Sequence, residues 1–298
     1  MRIWKSYILG VLLLVAVVAA MMFAVACGGD DTTAEPSATA TSATSAADIA
    51  TEILGKEPTG KAKEIIDAGT MSVNNDPKYP PQSSIDEATG DLVGFDVDVA
   101  NKVGEILGLD VTFVDYKFEQ ILTDVNQDRY DVSIGSMTIT PERLAKVGMT
   151  EPYYYTPAGI IVKEGGPQIA GVEDLAGKKV GAAAGTTYYK WLKDKSDAEI
   201  VVYDTDASMF PDLAQGTGRI DFGFTAVPTA IEAIRQGQPF ELSGDPLYYE
   251  DLAFALKKGE ADWLELLNYC IRQMHEDGSL TAMSEKWYAG VDLTQKAQ

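Results

Sequence analysis

The chain has 298 residues, 46% hydrophobic and 23% charged, the make-up of a globular body large enough for one big domain or two ordinary lobes. Its formal net charge of −21 repels nucleic-acid phosphates and anionic lipid headgroups, which argues against nucleic-acid binding. A small anionic ligand is not excluded, because one arginine in a pocket can outweigh the global field.

The first 27 residues stand apart. Arg2 and Lys5 make a short basic start, and no charged residue occurs from Ile8 to Ala26. Such a run is a secretory signal or a membrane anchor. It ends in Ala24-Val25-Ala26-Cys27-Gly28-Gly29, with small residues before a cysteine and a polar stretch after it. This resembles a bacterial lipobox, in which the cysteine is acylated and becomes the mature N-terminus, although position 24 holds Ala where Leu is commoner. An uncleaved helix with an incidental cysteine is the alternative, and both readings put the rest of the chain outside the cytoplasm. Loss of Arg2 and Lys5 with the leader takes the net charge from −21 to −23. With Cys27 carrying lipid, Cys270 has no disulfide partner and reads as a small buried core residue. Residues 28–47 are Asp, Thr, Ala, Ser and Pro with almost no large apolar side chain, the composition of a flexible tether.

From about residue 70, short apolar strands alternate with helical patterns. Met71-Ser72-Val73 reads as a strand, and Phe95, Val99, Val103 and Ile106 fall on one helical face. Val111–Val114 and Asp131–Ile134 are further strands. Thr140-Pro141-Glu142-Arg143 starts a helix, with Thr as N-cap and Pro in the first turn. Strand 159–162 follows, and the alternation then begins afresh with strand 179–181, a helix opened by Gly185-Thr186-Thr187, strands 200–202 and 220–224, a helix after Pro228, and strand 252–256. Leu267, Cys270, Ile271 and Met274 make the inner face of a long helix near the end. This order predicts an α/β fold with mostly parallel sheets, in two successive blocks.

Several motifs then line up in order: Asn75-Asp76-Pro77-Lys78-Tyr79-Pro80-Pro81; Gly94-Phe95-Asp96-Val97-Asp98; Gly135-Ser136-Met137-Thr138-Ile139-Thr140-Pro141-Glu142-Arg143, with Glu151-Pro152-Tyr153-Tyr154 behind it; Asp174-Leu175-Ala176-Gly177-Lys178-Lys179-Val180-Gly181, running into Ala184-Gly185-Thr186-Thr187; and Asp277-Gly278-Ser279-Leu280 with Lys286-Trp287-Tyr288. Over about residues 70–290 the chain resembles the family 3 extracellular solute-binding proteins, the polar amino acid receptors of ABC importers. The resemblance implies a two-lobe, type II periplasmic-binding-protein (clamshell) fold. The chain then crosses between lobes near Tyr155–Ala158 and near Asp245–Tyr249, which makes lobe one residues 48–157 plus 247–298 and lobe two 158–246. The implied partners are a small carboxylate ligand, a permease with its ATPase, and the membrane through the N-terminal lipid. The implied protein is a monomer with no cofactor and no metal.

The resemblance also implies a binding site. Arg143 matches the arginine that holds the ligand's α-carboxylate, a task that suits a two-pronged guanidinium near a helix start. Thr187, at a helix start in the other lobe, matches a second donor to that carboxylate. Ser136 and Thr138 follow a strand at the carboxyl end of a parallel sheet, where α/β folds bind ligands, and match positions that meet the ligand backbone. Tyr79 matches an aromatic that stacks on the ligand side chain, and Asp76 a polar contact to that side chain. Ala183, just ahead of the Ala184-Gly185 turn, completes the set. Two departures stand out. Gln82 replaces an aromatic, which predicts a more polar side-chain pocket. Ala226 stands where relatives often carry an acid that balances the ligand's α-ammonium. Either Asp206 or Asp204 takes over that task, or the ligand is not an ordinary α-amino acid, because a buried ammonium without an anion is costly.

Other classes leave fewer marks. The single histidine, His275, reads as a surface residue near a helix end. The sequence shows no nucleophile–histidine pair, P-loop or zinc spacing. A dehydratase on the same fold needs only a positioned carboxylic acid and stays open as an alternative, as does a ligand-sensing receptor.

Overall fold

The computed structural model describes residues 44–296 except 116 and 217. The expected leader, Cys27 and residues 28–43 lie outside the described residues. The described chain opens on a capping box: the Ser45 hydroxyl accepts from the Asp48 N–H, and Asp48 reaches back to Ser45. The first helix therefore begins at Ala46, two residues inside the expected tether.

Short 3-10 turns aside, the elements are α1 (Ala46–Leu54), α2 (Gly60–Ala68), β1 (Thr70–Asn74), β2 (Lys78–Tyr79), β3 (Ser83–Ile85), β4 (Leu92–Val93), α3 (Phe95–Leu107), β5 (Asp110–Val114), α4 (Ile121–Asp124), β6 (Val132–Thr138), α5 (Pro141–Lys146), β7 (Gly148–Met149) and β8 (Tyr154–Lys163). They continue with β9 (Lys179–Ala183), α6 (Thr187–Lys195), β10 (Glu199–Tyr203), α7 (Asp206–Gln215), β11 (Phe222–Ala226), α8 (Val227–Arg235), β12 (Phe240–Leu256), α9 (Ala261–Glu276) and α10 (Ser279–Trp287). The main sheet runs β10-β9-β11-β8-β12-β6-β1-β5, with β7 beside β12. As the alternation predicts, β1 pairs parallel with β5 and β6, and β9 parallel with β10 and β11. Strands β8 and β12 are antiparallel to their neighbours and much longer than the pieces legible in the sequence.

Two sets of cores form around the two ends of this sheet, giving the expected two-lobe α/β architecture. In the first, α3 contributes Phe95, Val99 and Val103, all fully buried, and α9 contributes Leu267, Cys270, Ile271 and Met274, packed around Trp263 and Val73. Ile106 is only partly buried; Leu107 takes the inner position. Ile121, Val125, Tyr130 and Met137 form a smaller cluster in this lobe. In the second lobe, Ile160 and Val162 join Val180, Phe222 and Phe224 on one face, while Ile161 joins Met209, Leu213 and Phe240 on the other. That alternation along β8 is the period of two of a strand buried on both faces.

The lobes are joined by a two-stranded ribbon. On β8, Tyr154 belongs to the first core and Ala158 to the second. On β12, Leu247 and Tyr248 pack on the second core and Leu252 lies in the first. The ribbon pairs Tyr248 with Ala158, Glu250 with Thr156 and Leu252 with Tyr154.

Candidate functional site

A cavity of about 620 Å³, part of it open to solvent, lies where the two lobes face each other. Of the residues singled out in the sequence, Asp76, Tyr79, Ser136, Thr138, Arg143, Ala183, Thr187 and Asp206 all line it. Ala226 does not. It is fully buried at the junction of β11 and α8 and belongs, with Phe222 and Phe224, to the second core. Gln82 is also displaced from its expected place: it is fully buried and accepts from the Thr229 hydroxyl at 3.3 Å, away from the cavity lining. The expectation that it makes the side-chain pocket more polar is not met.

Thr140 caps α5 as predicted, its hydroxyl accepting from the Arg143 N–H at 3.2 Å. Arg143 is 7% exposed. Nη1 donates to the Thr138 carbonyl at 2.9 Å and Nη2 to the Gly185 carbonyl at 3.1 Å, which ties the first lobe to the second. The Phe118 ring lies 5.6 Å from the guanidinium carbon. Burial pulls the Arg143 pKa down and the nearby Glu250 pushes it back up. Five N–H donors, two of them spent on carbonyls, leave a charged group able to grip an anion. The Gly185 turn that meets it needs glycine: φ is +74°, and a Cβ there would stand 3.1 Å from the Glu119 backbone.

The start of α6 divides its labour between two threonines. Thr186, not Thr187, is the N-cap, with its hydroxyl positioned to accept from the Tyr189 N–H and to donate to the Ala183 carbonyl. Thr187 is thereby freed of capping, and its hydroxyl donates to Glu250. Thr138 donates to the same Glu250 oxygen at 2.8 Å, and the Tyr188 hydroxyl donates to the other at 2.7 Å. Glu250 is 2% exposed. Burial raises its pKa, against the pull of the Thr187, Tyr188 and Thr138 hydroxyls and of Arg143. The sequence reading missed this residue, because nothing in Tyr248-Tyr249-Glu250-Asp251 marks it until the β8–β12 ribbon sets it between the lobes.

Ser136 adopts φ +56°, an uncommon conformation for a residue with a side chain. It is held from three sides. Its N–H donates to the Tyr153 hydroxyl, its hydroxyl donates to Asp96 at 2.8 Å, and the Tyr154 hydroxyl lies 2.7 Å away. Tyr153 in turn donates to Asp96 at 2.6 Å. Asp96 is fully buried in the first turn of α3, and burial pushes its pKa up to about 7 although both hydroxyls pull it down.

On the opposite lobe, Asp206 opens α7 and is 5% exposed. One oxygen accepts from the Thr225 hydroxyl at 2.8 Å; the other is buried with no hydrogen-bond partner among the described residues. Burial pushes its pKa up to about 7, with Thr225 pulling down and Asp76, across the cavity, pushing further up. Asp76 is itself raised, mainly by burial. Asp204, the other candidate acid, lies at the rim with its side chain 81% exposed, 4.0 Å from Lys117. The site thus offers a guanidinium from one lobe and, from the other, a carboxylate with one oxygen unpartnered among the described residues. Among the described residues no group of three or more His, Cys, Asp or Glu is placed to hold a metal ion, and no helix is long and apolar enough to cross a membrane.

Comparison with known proteins agrees with this architecture. The model of the bacterial extracellular solute-binding proteins, family 3, matches residues 71–290. The L-cystine-binding protein TcyJ of Escherichia coli K12 is 32% identical over 239 residues, 79% of this chain and 88% of that protein. The ABC transporter arginine-binding protein 1 of the same organism is 34% identical over 216 residues, 70% of this chain and 87% of that protein. Among solved structures, an ancestral arginine-binding protein bound to arginine superposes with a TM-score of 0.70 at 32% identity, covering 74% of this chain and 98% of that one. AncCDT-1, an ancestral amino acid-binding protein and precursor of cyclohexadienyl dehydratase, gives 0.70 at 31% identity, over 76% of this chain and 98% of that one. With a family match over residues 71–290 and relatives at 32% and 34% identity, this chain belongs to the bacterial extracellular solute-binding proteins, family 3.

Proposed function

We propose that this solute-binding protein captures an α-amino acid between its lobes and hands it to an ABC importer. The observation that carries the reading is the pairing of Arg143 with Asp206. A zwitterion needs an anion grip and a cation grip, and the cavity has a buried guanidinium from one lobe and a buried carboxylate oxygen without a partner from the other. Asp206 then does the work expected of an acid at position 226. Tyr79, Asp76 and Ala183 bound the rest of the cavity and meet the ligand side chain. Lobe one is residues 48–157 with 247–298, lobe two is 158–246, and the β8–β12 ribbon is the hinge. Because the two grips sit on different lobes, binding and closure are one event.

The protein binds without turnover; the relatives named above are binding proteins, and a product assay on the saturated protein tests this. It works outside the cytoplasm as a monomer, held to the membrane by lipid on Cys27, with a permease and an ATPase as partners and no cofactor. Labelling cells with an alkyne fatty acid should mark the wild type and not Cys27→Ala. The binding reading is tested by calorimetry of the purified protein against the amino acids together with solution scattering. A ligand that binds should also make the particle more compact. Tight binding with an unchanged scattering profile would contradict closure, and no binding to any amino acid would contradict the reading itself.

A further inference from the structure

Two threonine hydroxyls expected to meet the ligand, Thr187 its carboxylate and Thr138 its backbone, are already bound to a carboxylate of the chain. Glu250 sits on the ribbon where the lobes join, opposite Thr156 in register, and is 2% exposed. One of its oxygens takes the hydroxyls of Thr138, from the first lobe, and Thr187, from the second. The other takes the Tyr188 hydroxyl at 2.7 Å. Its charged neighbour is Arg143, the one buried cationic side chain among the described residues, and Tyr79 and Tyr248 also feel its charge. The anion corner of the cavity is therefore partly neutralised before any ligand arrives.

The count of charges extends this. Against the Arg143 guanidinium stand Glu250 and two carboxyl groups that line the cavity, Asp76 and Asp206; at the rim Asp204 is offset by Lys117, 4.0 Å away, and Lys78 adds one positive charge, so three acids face two cations. A zwitterionic ligand leaves that surplus of negative charge unchanged. A cationic side chain reduces it, and an anionic one deepens it beside buried charged groups, where like charges repel more strongly than in water.

We propose that Glu250 is a specificity-determining residue, a resident carboxylate that occupies the Thr138 and Thr187 hydroxyls, offsets Arg143, and turns away ligands that bring a second carboxylate. This rests on the amino-acid reading above. Specificity of this kind works by repulsion of the wrong ligand as much as by attraction of the right one. Glu250→Gln keeps the shape and one acceptor oxygen and removes the charge.

The test is the affinity of wild type and Glu250→Gln for arginine, glutamine and glutamate by calorimetry at pH 8, with folding of the variant checked by circular dichroism and its melting temperature. The wild type should bind arginine at least as well as glutamine and glutamate worst. The variant should narrow the arginine-to-glutamate spread at least tenfold, mostly by gaining glutamate affinity. A spread within twofold of wild type, or equal loss for all three ligands, would make Glu250 a structural tie and overturn the proposal. Should Glu250→Gln fail to fold, Glu250→Ala is read by the same spread. Wild type that binds only an amino acid outside this set shows selection by shape, which overturns the Glu250 role and leaves the amino-acid reading standing; wild type that binds no amino acid overturns both.

Discussion

The Thr225 hydroxyl donates to Asp206 at 2.8 Å, and the second carboxylate oxygen is buried without a partner among the described residues. A buried polar atom left unpaired costs about 1–3 kcal/mol. The ligand ammonium proposed to meet Asp206 would relieve that cost, making Asp206 unfavourable to the empty protein and favourable to the complex.

Asp206→Asn should therefore separate stability from binding. Loss of one partner of a buried charged pair costs on the order of 2–5 kcal/mol. Affinity for the amino acid should fall at least thirtyfold, while the melting temperature of the empty protein at pH 8 should rise or hold. A variant that binds as wild type does would remove Asp206 from the site.

The same residue gives binding a pH dependence. Burial pushes Asp206 up to about 7, so folding favours its protonated form: this contribution to stability is fully present below the ordinary carboxylate range, near pH 4, and is lost as pH rises through about 7. The ammonium needs the ionised form. Affinity should climb between pH 5 and pH 8, and binding below pH 7 should release a proton, visible as a dependence of the calorimetric heat on the buffer's ionisation enthalpy. Asp96 also titrates near 7, but it faces Tyr153 and Ser136 inside lobe one. Asp206→Asn should flatten the affinity profile; an unaltered slope in that variant would assign the dependence elsewhere.

Arg143→Ala removes the cation proposed to hold the ligand carboxylate and the tie to the Gly185 carbonyl. Binding should weaken well over tenfold with the lobes still folded, since the first core is built from other residues. Unchanged affinity in calorimetry would exclude Arg143 as the anion grip.

Much of this site was legible in the sequence because its residues sit at element ends that local chemistry fixes. Thr140-Pro141 announces a helix start, and that places Arg143; the strand before it places Ser136 and Thr138 at a sheet's carboxyl edge. Ala226 lies outside the cavity lining because the strand runs two residues later than expected, Phe222–Ala226 rather than 220–224, and carries Ala226 into the core with Phe222 and Phe224. Glu250 was invisible for a different reason. Its partners lie more than sixty positions away: Thr138 meets it through the pairing of β6 with β12, and Thr187 and Tyr188 meet it from the start of α6 in the second lobe.

Asp96 should matter for binding through Ser136. Asp96→Asn leaves either Tyr153 or Ser136 without its acceptor, a loss of about 1–3 kcal/mol in a buried network. The melting temperature should fall, and amino acid affinity should fall with it as Ser136 leaves its held conformation. Retained affinity at a lowered melting temperature would limit Asp96 to stability alone.

The central claim is that one zwitterion bridges Arg143 and Asp206. Its most direct test is calorimetry of the wild type at pH 8 with the preferred amino acid and with the same molecule lacking its α-amino group. Both bring the carboxylate, but only the first supplies the cation that the free Asp206 oxygen lacks. The account predicts that the deaminated analogue binds at least thirtyfold more weakly; equal or tighter binding of the analogue would contradict it.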